Sequence, residues 1–168
     1  MKSQENKGPT VSIDLVSALK DLIESTSQFI ELHGKSMLRL RVESQSEEWR
    51  CEREIIKRVT LLYLDSPEKP VLFCVSQLDK QQLTSSEYQM ILAQNLPIGK
   101  VFGSLNRPEN IKKTNLSCSL ESDDTIASQL HVNSSLLYRK KYEYWVSERH
   151  VGQIIEVFNE ESIARITK

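Results

Sequence analysis

The sequence predicts an α+β fold: a mainly antiparallel sheet with helices packed on it. Three observations carry this. Runs rich in β-formers outnumber the helical stretches. The links between those runs are short and turn-like, which suits antiparallel neighbours. The regular alternation of strand and crossover helix that builds a parallel sheet does not occur.

Residues 12–30 carry a helical pattern. Leu15, Leu19, Leu22 and Ile23 recur at three- and four-residue steps, and Ser12 is placed to cap the start. The Ser25-Thr26-Ser27 triplet is expected to interrupt this helix, because hydroxyl side chains compete for backbone hydrogen bonds. His33-Gly34-Lys35 reads as its end. Residues 37–42 (MLRLRV) alternate apolar and basic, as a strand does, and residues 55–64 (IIKRVTLLYL) form a longer run of β-formers. The cluster Asp65-Ser66-Pro67-Glu68-Lys69-Pro70 reads as a turn, and residues 71–75 (VLFCV) follow at once, so the two runs predict a β-hairpin.

A helix is predicted over 85–94, with Thr84 and Glu87 at capping-box spacing. Pro97 limits it, and residues 97–102 (PIGKVF) predict a turn and a short helix. Strand character returns over 111–120, a short helix is predicted over 124–130, and two final strands cover 136–146 and 150–158 with Ser147-Glu148-Arg149 as their turn.

The chain has 168 residues, a length that suits one domain with room for a core. Residues 1–11 read as a loose polar tail and residues 12–168 as a single domain. Lys plus Arg total 22 against 23 Asp plus Glu, a formal net charge of -1. That balance argues against a general binder of nucleic acid or of membrane surfaces, which carries a basic excess. No apolar run approaches the ~20 residues of a membrane helix, and the polar start lacks the apolar core of a signal peptide. A cytoplasmic monomer is the expectation.

Cys51, Cys74 and Cys118 are odd in number and widely spaced, so packed or half-buried free thiols are expected rather than a disulfide framework or a zinc site. His33, His131 and His150 lie too far apart to form a metal motif. Walker, GxGxxG and GxSxG motifs do not occur.

Side chains alternate across a strand. Ile154, Glu156 and Phe158 therefore share a face, and so do Ile56, Arg58, Leu62 and Leu64. A charged group among apolar neighbours costs free energy unless a partner meets it. An inward Arg58 and an inward Glu156 on separate strands would suit a small carboxylated, hydroxylated ligand: the guanidinium matches a carboxylate, and the Glu exchanges a proton with a hydroxyl. A structural ion pair, or faces turned outward, satisfies the same pattern. In Tyr138-Arg139-Lys140-Lys141-Tyr142 and on to Tyr144 and Trp145, basic residues alternate with aromatics. Tyr138, Tyr142 and Tyr144 fall on one strand face and Arg139 and Lys141 on the other, which reads as a solvated sheet face rather than a nucleic-acid contact. The turns at Ser25-Thr26-Ser27 and Pro97-Ile98-Gly99 could offer backbone N–H groups to an anion.

Taken in order, four stretches resemble the chorismate lyase (chorismate pyruvate-lyase) family. They are ESTSQFIELHGK at 24–35, KRVTLLYL at 57–64, LPIGKVF at 96–102 and YRKKYEYWVSERHVGQIIEVF at 138–158. The resemblance implies a six-stranded antiparallel sheet with helices on one side, enclosing a buried pocket. It implies conversion of chorismate to 4-hydroxybenzoate and pyruvate without metal or cofactor. By the same resemblance Arg58 would bind the ring carboxylate, Glu156 would lie near the ring hydroxyl, Ile98 would offer a backbone N–H to the carboxylate, and Thr26 would line the pocket.

Three positions depart from the family pattern. Thr26 is polar where members are apolar, Ile155 precedes the Glu where Thr is usual, and Lys140-Lys141 replace an Arg pair. The same superfold serves as the effector-binding domain of some bacterial transcription regulators, and residues 127–142 (ASQLHVNSSLLYRKKY) resemble those domains as well. With so few residues before the first sheet strand, the DNA-binding module that accompanies them is not expected in this sequence. The resemblance thus implies a chorismate pyruvate-lyase, with a non-catalytic binder of small aromatic acids as the alternative and a partner-binding domain without a pocket as the third reading.

Overall fold

The computed structural model describes residues 25–64 and 68–166, together with Ala18, which is helical. The expected tail over 1–11, the helical positions Ser12, Leu15, Leu19, Leu22 and Ile23, and turn residues Asp65, Ser66 and Pro67 lie outside the described residues.

Helix α1 spans Thr26–Gly34. The Ser25-Thr26-Ser27 triplet starts it: Ser25 is the N-cap, and its hydroxyl accepts from the Gln28 N–H. Competition for backbone bonds, expected to break a helix, here favours a helix start. The helix ends at Lys35 in the left-handed conformation.

Strands β1 (Arg39–Arg50) and β2 (Arg53–Tyr63) form a hairpin with Cys51 and Glu52 at its tip. β3 (Pro70–Asp79) pairs with β2. Helix α2 (Ser85–Leu92) starts on the capping box read in the sequence, with Thr84 accepting from the Glu87 N–H and Glu87 accepting from the Thr84 N–H. Helix α3 covers Ile98–Leu105 with Pro97 at its N-cap and no side-chain cap. β4 (Ile111–Ser122), helix α4 (Asp124–Leu130), β5 (Leu136–Val146), β6 (Arg149–Phe158) and helix α5 (Glu160–Arg165) complete the chain.

The six antiparallel strands run in the order β1-β2-β3-β6-β5-β4. Two triplets of sequence-consecutive strands meet at the β3–β6 ladder, from Leu72↔Phe158 to Leu78↔Gly152. Gly152 is required there: at φ +154, a Cβ would sit 2.1 Å from the Gln77 carbonyl oxygen. One sheet face carries Ile56, Leu78, Tyr142, Tyr144 and Ile154, and α2 and α3 cover it with Ile91, Val101 and Phe102. Ile30 of α1 packs with Leu62, Leu72 and Phe158 further along. α4 sets Ala127 and Leu130 against Leu61, Phe73, Leu137 and Val157.

The structure corrects several sequence expectations. β1 runs eight residues beyond Val42 and β3 four beyond Val75. Arg149 pairs with Val146, so the last turn narrows to Ser147 and Glu148. On the tyrosine face of β5, Tyr142 and Tyr144 are buried and Tyr138 half-buried, and Lys140, read as part of a surface basic run, lies on that face fully buried, while Lys141 on the other face is exposed. Cys51 and Cys118 are exposed, while Cys74 alone is half-buried.

Candidate functional site

A cavity of about 260 Å³ lies between the sheet and the helices. Its floor is Thr60, Leu62, Leu72, Cys74, Ser76, Ile154, Glu156, Tyr142 and Tyr144, and Ile111 and Lys113 of β4 close one flank. The roof is two helix starts: Ser25, Thr26, Ser27 and Gln28 of α1, and Pro97, Ile98 and Gly99 of α3.

The two starts adjoin each other. A Cβ on Gly99 would lie 3.4 Å from Ser25 Oγ and 3.6 Å from Ser27 Oγ. Lys100 and Glu31, one from each helix, form an ion pair at 2.5 Å. The first N–H groups of a helix have no partner within it, and the helix dipole favours negative charge there. Ile98 and Gly99 occupy such positions without a capping side chain. Convergence of two helix starts on one wall suits an anion.

Glu156 stands at the centre of the floor, 2 % exposed. Its Oε1 accepts from Thr26 Oγ1 at 2.9 Å. Lys140 is its direct cross-strand neighbour on β5, and Cys74 on β3. Tyr142 lies beside it, and burial, the Glu156 charge and a hydrogen bond with Glu156 together hold the Tyr142 phenol proton well above its ordinary range. Burial and the same charge raise the Cys74 thiol, with Lys113 opposing, and raise Tyr144. The floor thus offers a carboxylate acceptor among protonated phenols and a protonated thiol. Lys113 brings a cation, its Nζ 4.6 Å from the centre of the Tyr142 ring.

Of the four residues named from the sequence, Glu156, Thr26 and Ile98 line the cavity and Arg58 does not. Arg58 has the expected inward orientation and is 1 % exposed, but its guanidinium is engaged elsewhere. Nε donates to Gln45 Oε1 at 2.7 Å, Nη1 to the Leu96 carbonyl at 2.9 Å and Nη2 to the Ile91 carbonyl at 2.5 Å. Among the described residues no carboxylate forms an ion pair with it. Burial lowers its pKa to about 10.

Sequence reading missed Ser76, Lys113, Cys74, Tyr142 and Tyr144 as cavity residues. The alternation of β5 held the signal for the tyrosines, since Arg139, Lys141 and Glu143 claim the other face. Ser76, whose buried hydroxyl has no hydrogen-bond partner among the described residues, lies past the point where the sequence reading ended its strand. Among the described residues no group of three or more His, Cys, Asp or Glu is placed to hold a metal. No described helix is long and apolar enough to cross a membrane.

No protein-family model matches the sequence. No curated protein matches it either. Solved structures do match. PhnF from Mycobacterium smegmatis superposes with a TM-score of 0.59 at 10% identity, over 82% of this chain and 64% of that one. The effector domain of the same protein gives 0.57 at 11% identity, over 80% and 88%. The C-terminal domain of the histidine utilization repressor from Pseudomonas syringae gives 0.51 at 9% identity, over 72% and 90%. The three share one fold, the chorismate lyase-like architecture. This chain has that fold. At such low identity the likeness is one of fold.

Proposed function

We propose that this chorismate lyase-like domain binds a small hydroxylated carboxylic acid in the sheet-floored cavity. One observation carries the reading: two adjoining helix starts and a buried, oriented Glu156 line the same space. The carboxylate sits against the N–H groups at the starts of α1 and α3, with Lys113 adding positive charge. The ring or carbon skeleton packs on Leu62, Leu72 and Ile154. A ligand hydroxyl donates to Glu156, which Thr26 holds in place. Likeness to an effector domain supports binding without turnover. So does the engagement of Arg58 by protein acceptors, since it leaves the cavity without the inward guanidinium that the family resemblance assigns to the carboxylate.

Titration calorimetry with 4-hydroxybenzoate, benzoate and 4-hydroxybenzamide tests this. The hydroxy acid should bind at least tenfold more tightly than either analogue, because each lacks one charge-assisted hydrogen bond worth about 1.5–3 kcal/mol. Equal affinity for all three would overturn the assignment of the two ends.

The second reading is a chorismate pyruvate-lyase, favoured by Glu156 buried in the floor of the cavity. In that reaction the ring loses the hydrogen beside the ether carbon as the ether C–O bond breaks. The ring becomes aromatic, and the departing enolate takes up a proton to give pyruvate. Glu156 would orient the ring hydroxyl or steer the proton. Incubation with chorismate, followed by absorbance of 4-hydroxybenzoate, separates the readings: steady product formation selects the lyase, and binding without product selects the binder.

A further inference from the structure

We infer that Arg58 is a positioning residue for the anion end of the cavity, acting through the Leu96 and Ile91 carbonyls on the start of α3. The inference rests on the reading that an anion docks there, and deepens it by naming what holds the dock in place.

The chain between α2 and α3 is short, residues 93–97. Gln94 takes the left-handed conformation at φ 55, and Pro97 holds φ at -57. Ile91 lies in the last turn of α2, and Leu96 stands two residues before Ile98. One guanidinium grips both carbonyls, at 2.5 and 2.9 Å. Its third bond goes to Gln45, and Gln45 Nε2 returns to the Ile91 carbonyl at 3.2 Å. The result is a closed ring of Arg58, Gln45 and Ile91, with Leu96 as its outlet toward the cavity.

A cation at the carbonyl end of a helix is well placed electrostatically. A planar fork fixes two acceptors where an ammonium would fix a point. Arg58 and Gln45 both lie outside the cavity lining, so their effect on a ligand must pass through the 93–97 segment. The direction in which the Ile98 and Gly99 N–H groups point is set by that segment and by Pro97.

The test uses the whole chain with Arg58→Lys, which keeps the charge and loses the fork, and Gln45→Leu, which leaves the net charge and the cavity lining unchanged. In the free proteins, the amide nitrogen and proton signals of Ile98 and Gly99 should move in both variants, while those of α4, remote from the ring, stay in place. With 4-hydroxybenzoate as probe, Arg58→Lys should lose about tenfold in affinity and Gln45→Leu about threefold, about 1.4 kcal/mol and half that. Affinity for neutral 4-hydroxybenzamide should stay within twofold in both. Gly99 signals that stay fixed in both variants would overturn the inference, whether or not the probe binds. So would equal losses for the acid and the amide, which mark a general weakening of the fold. Loss in Arg58→Lys with none in Gln45→Leu would make Arg58 a direct ligand contact. If the wild type binds neither probe, the proposed function fails on that probe, and the free-protein signals still decide the role of Arg58.

Discussion

Arg58 and Glu156 begin alike and end differently. Each is a charged residue on a mostly apolar face of an inner strand, each is all but fully buried, and both point to the sheet face that α1, α2 and α3 cover. Around Arg58 the protein supplies its own acceptors, two main-chain carbonyls and a Gln side chain. Around Glu156 it supplies the Thr26 hydroxyl and the Tyr142 phenol and leaves the space above open. An inward charge in a strand therefore marks a place where something must be met. Whether the partner is the chain itself or a ligand depends on what the neighbouring elements bring. At Arg58 it is the carbonyl-rich end of α2; at Glu156 it is a helix start, which has donors to give.

The contrast is sharpest in stability. Arg58→Met should cost about 3 kcal/mol in urea unfolding, because the half-buried Leu96 carbonyl and Gln45 Oε1 lose their charged donor and the buried Ile91 carbonyl keeps only its weaker partners. A loss under about 1 kcal/mol would mean that water or a shifted loop replaces the guanidinium, and would erase the contrast.

Alkaline pH probes the Glu156 side. Tyr142, Tyr144 and Cys74 hold their protons more tightly folded than unfolded. Above the unfolded values, near 9 for the thiol and 10 for the phenols, the unfolded chain has lost protons that the folded chain keeps. Stability is thus fully present below pH 9 and falls above it, by about 1.4 kcal/mol per pH unit for each group. Tyr142→Phe should make that fall shallower. An unchanged slope would detach Tyr142 from the effect. Arg58 has the opposite sign: its folded pKa of about 10 lies below its unfolded value, so its burial costs stability at lower pH, and that cost is relieved as pH rises through 10.

Smaller effects refine the Glu156 end. Thr26→Val removes a donor while keeping shape, and should cost about 1 kcal/mol in thermal or urea unfolding. Glu156→Gln should cost less than that, since the amide oxygen still accepts from Thr26, yet it should weaken a bound hydroxy acid about tenfold in calorimetry. A large stability loss with unchanged ligand affinity would move Glu156 into the same class as Arg58.

Much of the fold was legible because local chemistry and global structure agree. Thr84 and Glu87 announce α2, and Asp123 accepting from the Ile126 N–H explains why the 124–130 helix starts where it does. The second half of β1, ESQSEEWR, was illegible because an edge strand with few buried positions lacks the apolar alternation that betrays a strand. The end of β3 was missed where Ser76 and Gln77 break the apolar run. Helix α5 is too short to show a period and rests on the Asn159 cap. Glu156 was readable from its place between Ile154 and Phe158. Lys140 was not, because Arg139-Lys140-Lys141 looks like surface charge, and only the strand phase turns its middle member inward. The role of Arg58 depends on the Ile91 and Leu96 carbonyls, and main-chain acceptors leave no mark in a sequence.

The strand order gives the cavity a history as well as a shape. β1-β2-β3 and β4-β5-β6 are each built from neighbours in sequence, so each triplet zips through local contacts, and the β3–β6 ladder joins them across a long stretch of chain. The cavity floor straddles that ladder: Thr60, Cys74 and Ser76 come from one triplet, and Tyr142, Ile154 and Glu156 from the other. Neither half encloses the cavity alone. A molecule seated in the cavity acts as a rivet between two half-sheets, and a ligand at a hundred times its Kd adds about 2.7 kcal/mol to their union. Its imprint on hydrogen exchange belongs along the Leu72–Leu78 ladder, where the closeness of Gly152 to Gln77 leaves the halves no slack.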